Sequence, residues 1–302
     1  MVADGGVRLL ETKNKTEKGR TNVTVPAGLA AVGGLCSVEN PGAGETKNTP
    51  PDPKWYKKLE ENCEKWSRDE YQSYVNKTNE ELLEVPGETS YEWGGVMTGK
   101  VPGRETQGDV KLTCENIIKR IEDMAKSIFD KHQDDKHLDL VTLMNGGLAF
   151  TKPLAKKLQE LATDNDKEED WLRQWSISPK SYDGTNSSGE VQFDEKSEQT
   201  LQELLQLLEQ ENGGNVVIGD DISDTGNTFD ALIKKIPQSP NIAIETAVML
   251  DKQGRRDEKN EEFVPDYCGF NIENKFVIGY GLDYEEVGRD LPFIGYIKEK
   301  AA

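Results

Sequence analysis

Basic residues are in short supply: 37 Lys and Arg face 56 Asp and Glu across 302 residues, a formal net charge of -19. A chain this acidic has no basic face with which to release counterions, so neither nucleic acid nor an anionic membrane is expected as a partner. Histidine is scarcer still, with only His132 and His137, and both fall in a charged connection where surface positions are expected. The four cysteines, Cys36, Cys63, Cys114 and Cys268, are far apart and form no C-x-x-C pair. That spacing argues against a zinc site and against a dense disulfide framework, and it points to a reducing, cytoplasmic location. Long apolar runs are missing as well. The longest near the start, Ala27 to Cys36, is too short to cross a bilayer and comes after a segment containing Asp4, Glu11 and Glu17, so no signal peptide is read. With 34% hydrophobic and 31% charged residues, a core running the whole length is not expected.

What apolar patterning there is begins near Leu112. Residues 1–53 are rich in Gly, Thr, Asn and Pro and close on Asn48-Thr-Pro-Pro-Asp-Pro53, the composition of a disordered tail. Residues 54–109 form an extension in which Trp55, Leu59, Cys63 and Trp66 recur at helical spacing, predicting one or two helices that dock on the main domain. Gly87 to Gly108 reads as a loop. From residue 110 to 302 strand-like and helix-like runs alternate. Val110 to Leu112 leads into a helix from Glu115 to Lys131 with Thr113 as its cap, then a buried strand at Leu138 to Leu143 and a helix running to Leu161. Trp171 to Ile177, Asn215 to Gly219, Ile242 to Leu250, Lys275 to Tyr280 and Phe293 to Ile297 supply further strands, and Leu201 to Leu208 marks the centre of another helix. This order predicts an α/β domain, a mainly parallel sheet flanked by helices, with ligands at the carboxyl ends of the strands.

The chemistry concentrates in Val216-Val-Ile-Gly-Asp-Asp-Ile-Ser-Asp-Thr-Gly-Asn-Thr228, an apolar strand that ends in two acids and a Thr-Gly-x-Thr turn. Such a turn gathers backbone N–H groups and two hydroxyls around one point, which suits a phosphate monoester. Asp220 and Asp221, just upstream, suit ribose hydroxyls and a magnesium ion. A calcium loop would alternate its oxygen ligands over twelve residues and close on a Glu, a pattern this segment does not match.

This loop resembles the signature of the type I phosphoribosyltransferases. Pro265-Asp-Tyr-Cys-Gly-Phe-Asn-Ile-Glu-Asn-Lys-Phe-Val-Ile-Gly-Tyr-Gly-Leu-Asp-Tyr284, continuing to Arg289-Asp-Leu-Pro-Phe-Ile-Gly-Tyr296, is similar to the purine-binding strand and C-terminal end of their hypoxanthine-guanine branch. The resemblance runs from about Val110 to Lys298. It implies the type I phosphoribosyltransferase fold, with a small hood and a mobile lid loop. The implied reaction is transfer of the 5-phosphoribosyl group from phosphoribosyl pyrophosphate to hypoxanthine or guanine, with Mg2+ as cofactor and a dimer or tetramer as the assembly.

Carried over position by position, Asp224 is the expected catalytic acid or base, while Thr225, Gly226, Asn227 and Thr228 hold the 5′-phosphate. Asp220 and Asp221 contact the ribose. Lys252 donates to O6 of the base, Phe276 stacks on one face and Ile222 packs on the other, and Lys275 and the backbone of Val277 complete the base site. Asp283, with Asp220 and Asp221, serves magnesium, and Arg289 binds pyrophosphate. Asn145 and Gly146 belong to the pyrophosphate loop, Ser181 and Tyr182 to the lid. Three departures stand out: Asn145 lies where the family often has lysine, the connection from Glu190 to Asn215 is longer and more acidic than usual, and the N-terminal extension through about residue 109 has no counterpart. A rival from another class is a non-enzymatic regulator that senses phosphoribosyl pyrophosphate or nucleotide. Retention of Asp224, Lys252, Asp283 and Arg289 together favours the enzyme.

Overall fold

A computed structural model describes residues 52–65, 91–104, 106, 108–144, 146–180, 191–284 and 288–299. Asn145, Ser181 and Tyr182, the lid from 181 to 190, the expected tail through residue 51 and the expected helical residues 66–84 lie outside the described residues.

The centre of the molecule is a five-stranded sheet whose strands, numbered in chain order, are β4 (Leu138–Leu143), β5 (Leu172–Ile177), β8 (Gly214–Ser223), β9 (Ile242–Asp251) and β10 (Tyr267–Asn271). Their order across the sheet is β10-β9-β8-β4-β5 and every pairing is parallel. All six side chains of β4 are buried, as a strand covered on both faces requires. Period-two alternation divides them. Leu138 and Leu140 join one apolar cluster with helices α2 (Cys114–His132) and α3 (Leu148–Asp164), whereas Val141 and Leu143 join a second with α4 (Glu195–Gln210) and α5 (Asn227–Ile233). The expected sheet flanked by helices is therefore the one observed. Thr113 caps α2 as expected, its hydroxyl accepting from the Asn116 N–H at 3.3 Å.

Chain order changes direction between β4 and β8. The chain leaves β4 toward β5 on one side and returns to β8 on the other, so the loops after β4 and β8 part and leave a crevice at their carboxyl ends.

A second, antiparallel sheet of β1 (Tyr91–Val96), β12 (Gly295–Glu299) and β11 (Phe276–Ile278), in the order β1-β12-β11, makes the small hood. Its first strand comes from the stretch expected to be a loop. Gly94 and Gly95 lower intrinsic strand propensity and mark a register shift between Trp93 and Gly95, but pairing with β12, about two hundred residues later, organises the segment regardless. The extension also supplies α1 (Lys54–Lys65), whose Tyr56 and Leu59 are buried in the first cluster. Two short antiparallel pairs lie outside both sheets, β2 (Thr98–Gly99) with β3 (Val110–Lys111) and β6 (Pro179–Lys180) with β7 (Gln192–Phe193).

One cysteine pairing is not visible in the sequence, and one expectation is corrected. Cys63 of α1 and Cys114 of α2 form a disulfide, with Cα atoms 6.1 Å apart, although 51 residues separate them in the chain. Docking of α1 brings them together, which linear spacing does not reveal. His132 is buried, not superficial: Nε2 lies 2.5 Å from Glu245 Oε2 and Nδ1 2.8 Å from Asp135 Oδ2, so the ring bridges α2 to β9.

Candidate active site

Asp220 and Asp221 emerge at the carboxyl end of β8, on the crevice. Burial, reinforced by the neighbouring Asp221 charge, pushes the Asp220 carboxyl well above the usual carboxylate range. Asp221 is also raised by burial, with the nearby Arg289 charge acting in the opposite direction. The Asp220 carboxylate accepts from the Asp221 N–H at 2.9 Å. Across the crevice, a Cβ on Gly146 would lie 1.6 Å from Asp221 Oδ2, so only glycine lets the loop after β4 approach this closely. The sequence elements expected to hold ribose and pyrophosphate thus meet at one point.

The turn after β8 is held in shape from outside. Gly226 adopts φ +82°, a left-handed conformation that glycine accepts without strain, and α5 starts at the next residue. The Thr225 hydroxyl accepts weakly from the Asn227 N–H at 3.4 Å. Buried Asn260 donates through Nδ2 to the Thr225 carbonyl and to Asn227 Oδ1, both at 2.9 Å, while Asn227 Nδ2 donates to Asp257 at 2.5 Å. Arg256 donates through Nη1 to the carbonyls of Ser223 and Asp224 at 2.9 and 2.7 Å and pairs with buried Asp251. Asp251, Arg256, Asp257 and Asn260 were not singled out from the sequence. Their signal was only a polar cluster after Lys252, with no period to separate it from an exposed loop.

Lys252 comes directly after β9 as Asp224 does after β8. Since Ser223 and Asp251 are partners in the parallel ladder, the two side chains project side by side, with Lys252 Nζ 3.7 Å from Asp224 Oδ2. Lys252 is only 5% exposed, and burial lowers its pKa against the pull of Asp224. Arg255 Nε lies 3.3 Å from Asp224 Oδ1, placing a second cation beside the same carboxylate. Ile222 is half-buried against the first apolar cluster.

The hood is partly joined to the first apolar cluster, which Val277 enters and Tyr296 packs against. Phe276 is 47% exposed, unusual for a ring in an apolar strand, and touches Tyr284 edge-on at 5.4 Å between centroids. Val277 is buried and pairs with Tyr296, and β11 is an edge strand of the hood. Lys275 pairs with Glu273 at 2.7 Å and lies over the Tyr296 ring at 4.5 Å. Below the hood, Arg289 and Asp283 are joined through Nη2 and Oδ1 at 2.7 Å, and Arg289 Nη1 donates to the Gly281 carbonyl at 2.8 Å. These two expected site residues meet one another.

The donor set suits magnesium held in the manner of a phosphate-bridged ion. Among the described residues no group of three or more His, Cys, Asp or Glu could cage a metal. The ion retains water and commonly takes one or two carboxylates together with substrate phosphates, and the Asp220–Asp221 pair, whose mutual repulsion a cation would relieve, offers such a seat.

A model of the phosphoribosyl transferase domain matches residues 112–285. Human phosphoribosyltransferase domain-containing protein 1 is 34% identical over 189 residues, covering 61% of this chain and 75% of that protein. Lactococcus lactis hypoxanthine-guanine phosphoribosyltransferase is 32% identical over 190 residues, covering 63% of this chain and 90% of that one. A solved structure of Trypanosoma cruzi hypoxanthine phosphoribosyl transferase is 28% identical, covers 67% of this chain and 92% of its own, and superposes with a TM-score of 0.49. No described helix is long and apolar enough to cross a membrane.

Proposed function

The chain belongs to the phosphoribosyl transferase domain family, and from that premise we propose that it joins hypoxanthine or guanine to phosphoribosyl pyrophosphate, giving IMP or GMP and pyrophosphate in purine salvage. Membership of the family makes the chain an enzyme that transfers a phosphoribosyl group. The choice of base rests on one observation: Lys252, a donor-only side chain, is buried beside Asp224 at the site.

In this reading the bond from ribose C1 to a pyrophosphate oxygen breaks, N9 of the base bonds to C1, and Asp224 takes the proton from N7. Positive charge develops on the ribose ring, and Asp220 and Asp221 stabilise it. Thr225 to Thr228 hold the 5′-phosphate through the turn that Asn260 and Arg256 brace. Phe276, exposed on the hood, stacks on the base and Ile222 packs on its other face, with Lys275 and the Val277 backbone beside them. Arg289 orients pyrophosphate with Gly146 and Asn145, and Ser181 and Tyr182 close over the site. Asp220 and Asp221, with Asp283, would hold Mg2+, which would supply positive charge against the leaving group. A homo-oligomer and a cytoplasmic location complete the reading. The Cys63–Cys114 bond makes the location testable by thiol counting after alkylation in cells, because cytosolic disulfides are ordinarily reduced.

The test is kcat/KM for four purines with magnesium and phosphoribosyl pyrophosphate. Hypoxanthine and guanine should turn over, xanthine being open to trial, and adenine should be rejected by about 10⁴-fold, because its amino group would face Lys252 donor to donor in a water-excluding pocket. Adenine turnover equal to hypoxanthine turnover would remove Lys252 from its role and the substrate class with it.

A further inference from the structure

We propose that helix α1, which precedes the matched family segment, clamps the pyrophosphate side of the site, and that Trp55 is a positioning residue for Arg289. The proposal rests on the reading of Arg289 as a pyrophosphate ligand.

Three directions fix the Arg289 guanidinium. Asp283 and the Gly281 carbonyl hold its edge at 2.7 and 2.8 Å, and the Trp55 ring, its centroid 5.8 Å from Cζ, supports it from α1. A planar fork bound at its edge alone can still rock; an aromatic ring within reach of the cation adds an attraction that selects one orientation. The next residue is tied to the same helix twice. Lys58 pairs with the Asp290 carboxylate, and Asn62 Nδ2 donates to the Asp290 carbonyl at 2.7 Å.

The helix also reaches the other element on that side. Lys152 of α3, the helix that starts just after the glycine loop at 146–147, pairs with Asp52 and lies over the Tyr56 ring at 4.7 Å. Tyr56 and Leu59 bury the inner face of α1. One added helix therefore contacts both the turn carrying Arg289 and the helix behind Gly146. Placing the arginine before the anion arrives removes an ordering cost from binding, so the clamp acts on affinity for pyrophosphate-bearing ligands and leaves base recognition alone.

The experiment compares the full-length chain with Trp55→Leu and Trp55→Phe. Calorimetry with magnesium pyrophosphate is read beside KM for phosphoribosyl pyrophosphate, KM for hypoxanthine, kcat and Tm. Trp55→Leu should weaken pyrophosphate binding and raise KM for phosphoribosyl pyrophosphate by about 3- to 10-fold, with KM for hypoxanthine within about twofold of wild type. Trp55→Phe, which keeps an aromatic face, should recover most of the loss. Unchanged pyrophosphate affinity in Trp55→Leu beside a binding, active wild type overturns the clamp alone. Equal loss of affinity for base and pyrophosphate, with a fall in Tm and no recovery by Phe, overturns it too, in favour of a merely structural helix. A wild type that neither binds magnesium pyrophosphate nor turns over would overturn the reading of the site, and the clamp with it.

Discussion

The two ends of the central sheet both carry acids, fully buried at one end and half-buried at the other, and they treat them in opposite ways. At the amino end, Asp139 of β4 is fully buried, yet Arg173 of β5 grips it through Nε and Nη2 at 2.9 and 2.6 Å and Trp175 Nε1 donates to it at 2.7 Å. The same arginine continues to Glu211, so the cluster is closed on itself. At the carboxyl end, half-buried Asp220 and Asp221 stand next to each other; burial raises both pKa values, at Asp220 together with the Asp221 charge, and Arg289 draws only Asp221 the other way. A buried charge that is satisfied holds strands together. One left under-satisfied at a crevice is a binding site in waiting, and its cost is met when the ligand arrives.

Substitutions at the two ends should therefore separate stability from function. The largest effect expected is from Asp139→Ala, which leaves the half-buried Arg173 guanidinium to Glu211 alone and Trp175 Nε1 without its acceptor, and should cost roughly 3 kcal/mol in denaturant unfolding while the folded fraction keeps its kcat. A loss of turnover without loss of stability would break the contrast. Asp224→Asn comes next: turnover should fall by about 10²-fold, roughly 2.7 kcal/mol of barrier, because an amide cannot accept the N7 proton. Substrate affinity should change far less, and near-normal single-turnover chemistry would remove Asp224 from the role.

The smallest stability effect, with the opposite sign, belongs to Asp220→Asn. A carboxyl whose folded pKa is raised binds more protons folded than unfolded. Stability therefore declines as pH climbs from the ordinary carboxylate range through the folded value, and the penalty is fully present above it. Removing the charge should raise Tm at neutral pH, by about 2–4 °C for each kcal/mol recovered, and weaken binding of magnesium phosphoribosyl pyrophosphate. A variant that lost both stability and affinity would place Asp220 with Asp139, among the structural acids.

The carboxyl end was the more legible of the two in the sequence. Apolar runs such as Val216 to Ile218 announce buried strands, and the acids and turn beyond them break the pattern abruptly enough to be read as a site. Strand β10 was less visible because Tyr267 and Cys268 are only half-buried at the edge of the sheet, so no sustained apolar run marks it. What escaped entirely depends on distant partners. Gly94-Gly95 becomes strand only by pairing with β12, Cys63 finds Cys114 only after α1 docks, and His132 enters the interior because Glu245 waits there on β9. The braces on the phosphate turn, Arg256 and Asn260, belong to the same class, since their partners are carbonyls and an amide some thirty residues earlier.

The most direct test of the under-satisfied carboxylate pair is a count of protons on binding. Magnesium phosphoribosyl pyrophosphate is titrated into the protein by calorimetry in buffers of different ionisation enthalpy, at several pH values from about 7 down to about 5. Because burial and the neighbouring Asp221 charge raise the folded pKa of Asp220, a cation seated on the pair should expel a proton, with more released the lower the pH. Asp220→Asn should abolish the release. Tight binding with no proton released at any of these pH values, or release that survives Asp220→Asn, would contradict the account.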